Sequence, residues 1–282
     1  MKGMAYAKVN LALAVYPAAA DGFHPLRGIF QSVSLSDTIS IEPASVDEVV
    51  VSNDEAPSDE TNLAWRAFDS TRRAARMPAA ARLAIDKQIP AGSGLGGGSA
   101  DAACVIGLMS DRYGLDEEMA FDIAASVGSD VPFSLTGGTA IVEGRGDRVD
   151  AQPLLSGFAL CVVVPPFALG TPAVFDEWDR LDGPTGRVVP DGDLPPILRG
   201  GVPIRNDLYP AALSLDRRVG DWCDALEHLW GTSVSMTGSG SALFAFFESV
   251  DEAAGAADAV DLPVRAAEPV SLVGQGWEPI DE

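Results

Sequence analysis

The sequence predicts an α+β protein made of two successive units. Residues 4–52 alternate apolar and polar side chains with the two-residue period of β-strands, and later stretches follow the helical period. Near residues 151–157 the sequence changes character, and a second set of strand and helix patterns begins. The length of 282 residues and the apolar fraction of 47% suffice for one large domain or two modest ones. We therefore predict domains over residues 1–153 and 154–282.

The first unit begins with a predicted strand over residues 4–15, in which Lys8 and Asn10 project from the same face. Asp21 and Gly22 turn the chain, and three further strand patterns predict an antiparallel sheet. These strands are expected at about 27–35, 37–43 and 47–52. The rest of the unit is predicted as a helix over 62–76, a strand over 82–89, helices over 99–113 and 116–127, and a strand pair at 138–143 and 147–152.

The second unit begins with a predicted buried strand at 160–164. Thr171 followed by Pro172 has the pattern of an N-cap and a first-turn proline, which predicts a helix through Trp178. Residues 182–205, rich in Pro, Gly and Asp, predict a long loop. The remaining elements are predicted as helices over 207–216, 218–229 and 251–260, and strands at 233–236, 242–247 and 263–271.

Composition limits the classes of partner. The formal net charge of −22 argues against nucleic acids and anionic membranes, whose binding requires a basic surface. No apolar run approaches the roughly 18 residues of a membrane span, and the N-terminus does not resemble a secretion signal, so we expect a cytoplasmic protein. The three cysteines form no disulfide or metal-binding pattern. An acidic protein that binds phosphates needs local positive potential from backbone amides, helix N-termini, lysines and Mg²⁺, which favours a small ligand in a cleft.

Residues 90–103 carry the most informative motif, Pro-Ala-Gly-Ser-Gly-Leu-Gly-Gly-Gly-Ser-Ala-Asp-Ala-Ala. Five glycines in seven positions precede a predicted helix, so backbone N–H groups and the helix N-terminus can surround a phosphate. The lysine of a P-loop is missing, and so is the acidic strand-end residue that a dinucleotide-binding site has about 20 positions later. A dinucleotide-binding site, weakened by this absence, and a flexible glycine linker are the alternatives, although linkers usually lack the flanking proline and helix.

Two charged residues are candidates for phosphoryl transfer, which needs positioning, charge stabilisation and a group to accept the proton of the attacking hydroxyl. Asp130, between Gly128-Ser129 and Val131-Pro132, is either such a base or an aspartate that stabilises a turn. Lys8 lies on a strand whose other residues are mostly apolar or small, where an unpaired lysine is rare. It either serves the site or extends to the strand edge.

Two turns are candidates for ligand recognition. His24, in Asp21-Gly22-Phe23-His24-Pro25, either binds a planar ring by stacking and hydrogen bonding or belongs to an ordinary turn. The glycine turn over residues 237–241 either closes a plain hairpin or lets a ligand approach the backbone. The other histidine, His228, is expected on a helix surface, and residues 145–147 are expected to be a hairpin turn.

Together these runs resemble the GHMP kinases. The resemblance covers the Ala-Lys-Val-Asn-Leu run at 7–11, the glycine-rich loop and the run Met-Thr-Gly-Ser-Gly-Ser-Ala-Leu-Phe at 236–244. Within the family, residues 21–26, 128–133 and 206–208 are similar to members whose substrate carries a cytidine diphosphate group. The resemblance implies a two-domain α+β GHMP kinase fold, with a ribosomal S5 domain 2-like N-terminal domain and a ferredoxin-like C-terminal domain.

The resemblance also implies roles for residues. Asp130 would accept the proton of the substrate hydroxyl, and Lys8 would keep Asp130 ionised and neutralise charge on the transferred phosphoryl group. The ATP phosphates would contact Pro90, Ala91, Gly92, Ser93, Gly94, Leu95, Gly96, Gly97, Gly98, Ser99 and Ala100, with Asn62 and Lys87 near the adenosine. The substrate would contact Asn10, Phe23, His24, Phe175, Gly238, Ser239 and Gly240.

The implied reaction uses ATP as co-substrate and phosphorylates an alcohol group of a small molecule with a cytidine diphosphate group. Mg²⁺ is expected to be held mainly by phosphates and water, because the sequence offers no clear acidic ligand set. A GHMP kinase of the homoserine or mevalonate type and a catalytically silent nucleotide-binding regulator are the alternatives. We expect a monomer or a weak homodimer.

Overall fold

The computed structural model describes residues 1–53, 56–77 and 80–280. Its strands are β1 (Lys2–Val15), β2 (Leu26–Pro43), β3 (Glu48–Val51), β4 (Ala81–Asp86), β5 (Thr139–Gly144), β6 (Arg148–Gln152), β7 (Ala159–Val164), β8 (Ser235–Met236), β9 (Leu243–Phe247), β10 (Ala266–Val270) and β11 (Trp277–Pro279). Its helices are α1 (Leu63–Ala74), α2 (Gly97–Tyr113), α3 (Glu117–Val127), α4 (Val131–Thr136), α5 (Thr171–Arg180), α6 (Tyr209–Leu215), α7 (Arg218–Trp230) and α8 (Val250–Asp258). Within the described residues, none of these helices is both long and apolar enough to cross a bilayer.

The first sheet has seven strands, with β1 and β2 near its centre. Its order is β11-β1-β2-β4-β3, and β2 also pairs with β5, which pairs with β6. Strand β2 is continuous where the sequence pattern predicts two strands, because its first half pairs with β5 and its second half with β4. The register against β1 shifts between Tyr6 and Lys8 and again between Asn10 and Ala12. At each irregularity the alternation of side chains between the two faces of the sheet starts again. Odd-numbered residues therefore lie on one face in one part of β1 and on the other face in another part.

Strand β3 runs parallel to β4, which corrects the expectation of a fully antiparallel sheet. Helix α1 lies between these two strands in the chain. A helix that packs on the sheet returns the chain to the end from which it started, so the strands it connects run in the same direction. The alternation within each strand contains no information on this direction.

Helix α2 forms the centre of the first core and packs against β1, β2 and β11. Its residues from Ala100 to Met109 are buried, so it shows no single apolar face. Small residues let the neighbouring elements approach it closely. A Cβ on Gly107 would lie only 2.1 Å from the indole ring of Trp277.

The second sheet has four strands in the order β10-β7-β9-β8. All six residues of β7 are buried, because helix α8 packs against this sheet and the first unit covers its opposite face. Residues 182–205 connect α5 to α6 and include two short 3₁₀ turns, at Asp191–Asp193 and Pro196–Leu198. Val189, Leu194 and Leu198 anchor this long connection in the main core.

The end of the chain returns to the first sheet. Strand β11 pairs with β1 in the register Gly3 to Pro279, and it is an element that the sequence pattern does not predict. Both apolar clusters also contain side chains from the two predicted domains, such as Leu11 with Leu160 and Leu13 with Leu243. The domain boundary at residue 153 therefore stays a prediction. Strand β11 belongs to the predicted C-terminal domain by sequence, but it pairs with the sheet of the N-terminal one.

The sequence pattern misses one short helix and misplaces one helix cap. Asp130 is the N-cap of the six-residue helix α4, which is too short for its periodicity to be visible in the sequence. Helix α5 has Gly170 as its N-cap, and Thr171 does not cap it. The Thr171 hydroxyl lies 2.8 Å from the Ser239 hydroxyl, so it has a tertiary partner in place of the helix N-terminus.

Candidate functional site

The glycine-rich loop, strand β1, the glycine turn at 237–241 and helix α5 surround a cleft with a volume of about 550 Å³. The cleft collects most of the predicted site residues from distant parts of the chain. These lining residues are Lys8, Asn10, Phe23, Asn62, Lys87, Pro90, Ala91, Gly92, Ser93, Gly94, Gly96, Gly97, Gly98, Ser99, Asp130, Phe175, Gly238 and Ser239.

Four predicted residues lie behind the wall of the cleft: His24, Leu95, Ala100 and Gly240. Leu95 is fully buried, and its carbonyl oxygen accepts a hydrogen bond from the backbone N–H of Lys8 at 2.9 Å. Ala100 is also fully buried, and its N–H donates to the carbonyl oxygen of Gly96. These residues shape the site from behind, so the structure does not bring their side chains to a ligand in the cleft.

Strand β1 directs two polar side chains into the cleft, because alternate residues of a strand share a face. The Lys8 ammonium donates to Asn10 Oδ1 at 2.6 Å and lies 3.4 Å from Asp130 Oδ2. It also lies 5.3 Å from the centre of the Phe30 ring. The Lys8 side chain is only 5% exposed, whereas Asp130 is 30% exposed. The result is a buried cation beside a carboxylate that remains open to the cleft.

The two glycine turns lie directly against each other. Gly94 has φ of +86°, and a Cβ there would lie 2.4 Å from the carbonyl oxygen of Thr237. Gly238 has φ of +57°, and its Cβ would lie 3.0 Å from the carbonyl oxygen of Gly94. The N–H of Ala242 donates to the carbonyl oxygen of Ser93 at 2.9 Å. Only glycine combines this backbone conformation with such close contact, so the two turns form one backbone surface.

Helix α2 begins in the floor of the cleft. Its N-cap is Gly96, with φ of +73° and no side-chain cap. The first-turn N–H groups of Gly97, Gly98 and Ser99 have no partners within the helix, because the first helical hydrogen bond starts at Ala100. Free N–H groups and the positive end of the helix dipole favour an anion at this point.

Lys87 lies beneath this helix start between two buried carboxylates. Its ammonium contacts Asp37 and donates to Asp101 Oδ2 at 2.8 Å. Burial lowers the pKa of Lys87, but the charges of Asp101 and Asp37 outweigh this effect and raise it above its usual value. A Cβ on Gly97 would lie 3.1 Å from the Lys87 ammonium. Lys87 therefore supports the loop from below, and its contact with adenosine stays a prediction.

The two carboxylates beside Lys87 differ in their other partners. Asp37 also accepts hydrogen bonds from the backbone N–H groups of Gln88 and Ile89. Oδ1 of Asp101 is buried and has no partner among the described residues. Burial, with a smaller contribution from the charge of Asp37, raises the pKa of Asp101 although Lys87 opposes the shift. Lys87 therefore stays the cation of the cluster, and Asp101 is the carboxyl in it whose protonated form burial favours.

Asn62 caps helix α1 at the edge of the cleft. Its Oδ1 accepts from the N–H of Ala64 at 2.9 Å, and its Nδ2 donates to the carbonyl oxygen of Pro57 at 2.7 Å. Its side chain is thereby committed to the local backbone, which gives the residue a structural role beside the predicted one.

The second glycine turn is attached to β1 through buried side chains. The hydroxyl of Thr237 accepts from the N–H of Asn10 at 2.9 Å and donates to Asn10 Oδ1 at 3.3 Å. Asn206 donates to the carbonyl oxygens of Met236 and Gly238, both at 2.8 Å. These bonds give a physical reason for the Asn-Asp-Leu run at 206–208.

His24 packs on helix α5 and is 9% exposed. Its ring centre lies 5.2 Å from that of Phe175 and 5.5 Å from that of Trp178. Nδ1 lies 3.1 Å from the carbonyl oxygen of Tyr16, and Nε2 lies 3.2 Å from Oδ2 of Asp179. The ring is therefore fixed at both nitrogens, while Phe175 forms the wall of the cleft in front of it.

Several residues that line the cleft had no predicted site role, and the polar ones with a side chain near its walls include Asp101, Arg145 and Thr171. The guanidinium of Arg145 lies 4.3 Å from the centre of the Phe23 ring and donates to Asp21 at 3.0 Å. The hairpin turn that carries Arg145 is confirmed, but the turn pattern does not indicate that its arginine reaches another segment. Cationic residues are scarce in a chain with a net charge of −22, and a cleft predicted to bind anions needs them. This scarcity is the signal that could have pointed to Arg145.

Comparisons with known proteins agree with this arrangement. Family models described as the GHMP kinases N terminal domain and the GHMP kinases C terminal match residues 62–138 and 203–264. A 4-diphosphocytidyl-2-C-methyl-D-erythritol kinase of Rhodococcus jostii (strain RHA1) is 41% identical over 222 residues, which cover 74% of this chain and 71% of the relative. The chain belongs to the 4-diphosphocytidyl-2-C-methyl-D-erythritol kinase family of the GHMP kinases.

Solved structures extend the comparison to the fold of this kinase. A crystal structure of 4-(cytidine 5'-diphospho)-2C-methyl-D-erythritol kinase has a TM-score of 0.78 and 34% identity, and the match covers 96% of this chain and 99% of that one. A homoserine kinase from Cytophaga hutchinsonii has a TM-score of 0.69 at 15% identity, over 99% and 96% of the two chains, and shares the fold alone. The predicted two-domain α+β GHMP kinase fold and the assignment as a kinase are confirmed.

Proposed function

We propose that this kinase transfers the γ-phosphoryl group of ATP to the 2-hydroxyl of 4-diphosphocytidyl-2-C-methyl-D-erythritol. The observation that carries the proposal is the pair of Lys8 and Asp130, 3.4 Å apart and facing the same cleft as the glycine-rich loop. The substrate is proposed from the names of relatives that match most of the chain, and from the aromatic walls that Phe23 and Phe175 give the cleft.

Asp130 is the proposed proton acceptor. Its side chain is partly exposed to the cleft and is held at the N-terminus of α4. The Lys8 ammonium lies 3.4 Å from this carboxylate, and an ionised carboxylate is the form that can accept the hydroxyl proton. Because Lys8 is buried, its charge is weakly screened, and it stabilises negative charge on the phosphoryl group during transfer.

The phosphates of ATP are proposed to bind the N–H groups of Gly97, Gly98 and Ser99 at the start of α2. Among the described residues, no group of three or more His, Cys, Asp or Glu side chains is arranged to hold a metal ion. The Ser99 hydroxyl and the Asp130 carboxylate are oxygen donors in the cleft, which fits a Mg²⁺ held mainly by phosphate oxygens and water. When bound, Mg²⁺ neutralises phosphate charge.

The cytidine diphosphate group is proposed to extend from the second glycine turn to the aromatic corner at α5. Gly238 and Ser239 offer backbone approach to the diphosphate, and Arg145 is a cation near this path in an otherwise acidic chain. Phe175 and Phe23 offer ring faces against which a pyrimidine can stack.

A kinase assay with competing substrates tests the proposal. The purified protein is incubated with ATP and Mg²⁺ and, separately, with the cytidyl substrate, homoserine and mevalonate, while ADP formation is followed. We expect turnover of the cytidyl substrate at least about 100-fold faster than of the others, and competition by CDP. Turnover of homoserine or mevalonate without competition by CDP would assign the chain to that type of kinase. ATP binding without turnover would favour the catalytically silent regulator.

Light scattering of the same sample tests the expected oligomeric state, which is a monomer or a weak homodimer.

A further inference from the structure

Gly146, in the turn between β5 and β6, is buried although its two neighbours are exposed. Arg145 and Asp147 lie at the surface, as is usual for the tip of a hairpin. Gly146 has φ of +96°, and a Cβ there would lie 2.2 Å from the carbonyl oxygen of Ser129. Only glycine combines this backbone conformation with such a close approach. The turn therefore lies directly against the backbone of the residue that precedes Asp130.

The carboxylate of Asp130 depends on this backbone for its position. Asp130 is the N-cap of α4, but its side chain does not accept a hydrogen bond from the helix. The connection from α3 to α4 is tight, because the N–H of Val131 donates to the carbonyl oxygen of Gly128 at 3.2 Å. Lys8 is the ion-pair partner of the carboxylate, 3.4 Å away. An element that fixes the connection therefore fixes where the carboxylate meets Lys8.

The hairpin that carries Gly146 is anchored at its base and at its tip. Strand β5 pairs with β2 in the first sheet, and β6 packs against α4. At the tip, Asp147 Oδ1 accepts a hydrogen bond from the N–H of Arg145 at 2.9 Å, and the guanidinium of Arg145 donates to Asp21 at 3.0 Å. Sheet pairing and these bonds limit the movement of the turn, so it is a fixed surface for the connection to pack against.

We propose that Gly146 is a positioning residue for Asp130, because the turn fixes the backbone that carries the proton acceptor. The inference rests on the proposed function. The described residues that line the cleft do not include Gly146, so it acts through Asp130 and not by contact with a ligand. A Cβ at position 146 reaches ordinary van der Waals contact only after the two segments separate by about 1 Å. A misplacement of about 1 Å can lower a rate by about 100-fold.

Gly146→Ala tests the positioning role directly. The exposed turn absorbs part of the separation, so we expect kcat to fall between about 10-fold and about 100-fold, with both KM values within about 2-fold of wild type. The matched control is Gly157→Ala, after β6, where φ is +83° and the Cβ has no atom of the described residues within 4 Å. This variant carries similar backbone strain without the contact, so its kcat should be unchanged. An equal loss of kcat in both variants, or unchanged kcat in Gly146→Ala, would overturn the proposal.

A second variant loosens the turn without introducing a clash. Asp147→Ala removes the acceptor for the N–H of Arg145 at an exposed position, so the fold should be retained. We expect kcat to fall about 3-fold with both KM values unchanged, because the turn fixes the connection less well. Asp150→Ala, an exposed change on β6, is the control. If Gly146→Ala does not fold, an unchanged kcat in Asp147→Ala overturns the proposal.

A double-mutant cycle tests whether Gly146 acts through Asp130. In the Asp130→Asn background the proton acceptor is already missing, so its position no longer matters. Gly146→Ala should then lower kcat by less than about 2-fold further. If the two losses multiply instead, Gly146 acts on the fold or on another part of the cleft, and the proposal is overturned.

Crystal structures of wild type and Gly146→Ala decide the inference without an assay. We expect the Asp130 carboxylate to shift relative to Lys8 by about 0.5 Å or more, because the alanine side chain displaces the carbonyl of Ser129 and the packed connection transmits the displacement. If wild type fails to turn over the cytidyl substrate, the proposed function fails, and the position of Asp130 still decides the inference. An unmoved Asp130 overturns it.

Discussion

The proposed phosphate side of the cleft is one continuous stretch at 90–99, whereas the proposed base side combines the turn at 21–25, helix α5 and Arg145. On the proposed phosphate side the binding groups are expected to be backbone N–H groups, and glycine is required at Gly94 because the carbonyl oxygen of Thr237 leaves no room for a Cβ. On the base side the groups are side chains from separate segments, fixed by each other. A site made of backbone depends on local sequence, while a site made of side chains depends on the packing of distant elements.

The largest expected effect lies at Lys8 and Asp130, where the two sides meet. Asp130→Asn keeps the shape of the side chain but removes the proton acceptor, so kcat should fall by about 1,000-fold with little change in the KM for ATP. Steady-state kinetics measures both constants, and Asp122→Asn, an exposed change on helix α3, is the control. Near-normal turnover in Asp130→Asn would remove this residue from the mechanism.

Substitution of Gly94 tests the claim that the phosphate side is built from backbone. Gly94→Ala introduces a Cβ 2.4 Å from the carbonyl oxygen of Thr237, at a backbone conformation that L-residues avoid. We expect kcat/KM for ATP to fall about 100-fold because the two glycine turns separate. Gly114→Ala, at φ of +70° with no atom within 4 Å, carries the same backbone strain far from the cleft. It should lower the melting temperature and leave ATP kinetics intact, and equal kinetic effects would contradict the comparison.

Removal of the His24 side chain tests the base side. His24→Ala should raise the KM for the cytidyl substrate about 10-fold or more and spare the KM for ATP, because the ring supports Phe175 and binds no phosphate. His228→Ala is the matched control, since His228 is exposed on α7. A rise in the KM for ATP of similar size would show that the two sides are not independent.

The last prediction concerns the stability of the fold in place of turnover, at Asp101 beneath the proposed phosphate side. Burial raises the pKa of Asp101 above that of an unfolded aspartate, so its protonated form favours the fold. The stability is therefore present at low pH and is lost as the pH rises from the usual aspartate range through the raised value, with a slope of at most about 1.4 kcal/mol per pH unit.

Asp101→Asn replaces the carboxyl with a neutral group of the same shape and should remove this slope. Urea unfolding at several pH values measures the free energy of unfolding of both proteins, and Asp111→Asn, an exposed change on the same helix, is the control. Identical pH dependence in wild type and Asp101→Asn would show that the pKa of Asp101 does not differ between the folded and the unfolded chain.

The local elements of the fold could be read from sequence because their signals are local. The alternation in β1 predicts the strand and the shared face of Lys8 and Asn10, and both are confirmed. Strand β11 could not be predicted, since three residues are too few for a period and their pairing with β1 is long-range. The direction of β3 depends on the path of helix α1, which side-chain alternation does not encode.

The candidate site divides in the same way. The glycine-rich loop predicts an anion site because the cost of ordering glycine requires a reason at each position. The cluster of Lys87, Asp37 and Asp101 could not be predicted, because its members come from three elements and each looks like an ordinary surface charge in the sequence. Arg145 looks like a turn residue until Phe23 is found 4.3 Å away.

By itself the sequence determined most of the elements, a glycine-rich loop suited to an anion and, through a family resemblance, the kind of kinase. The tertiary structure alone decided which side chains meet: Lys8 with Asp130, Lys87 with two carboxylates, and His24 with Asp179. The physical reason is the separation in the chain of the residues that interact. Backbone conformation and periodicity are set by neighbours in the chain, whereas ion pairs and hydrogen bonds are set by neighbours in space, which the packing of β1, α2, α4 and α5 brings together.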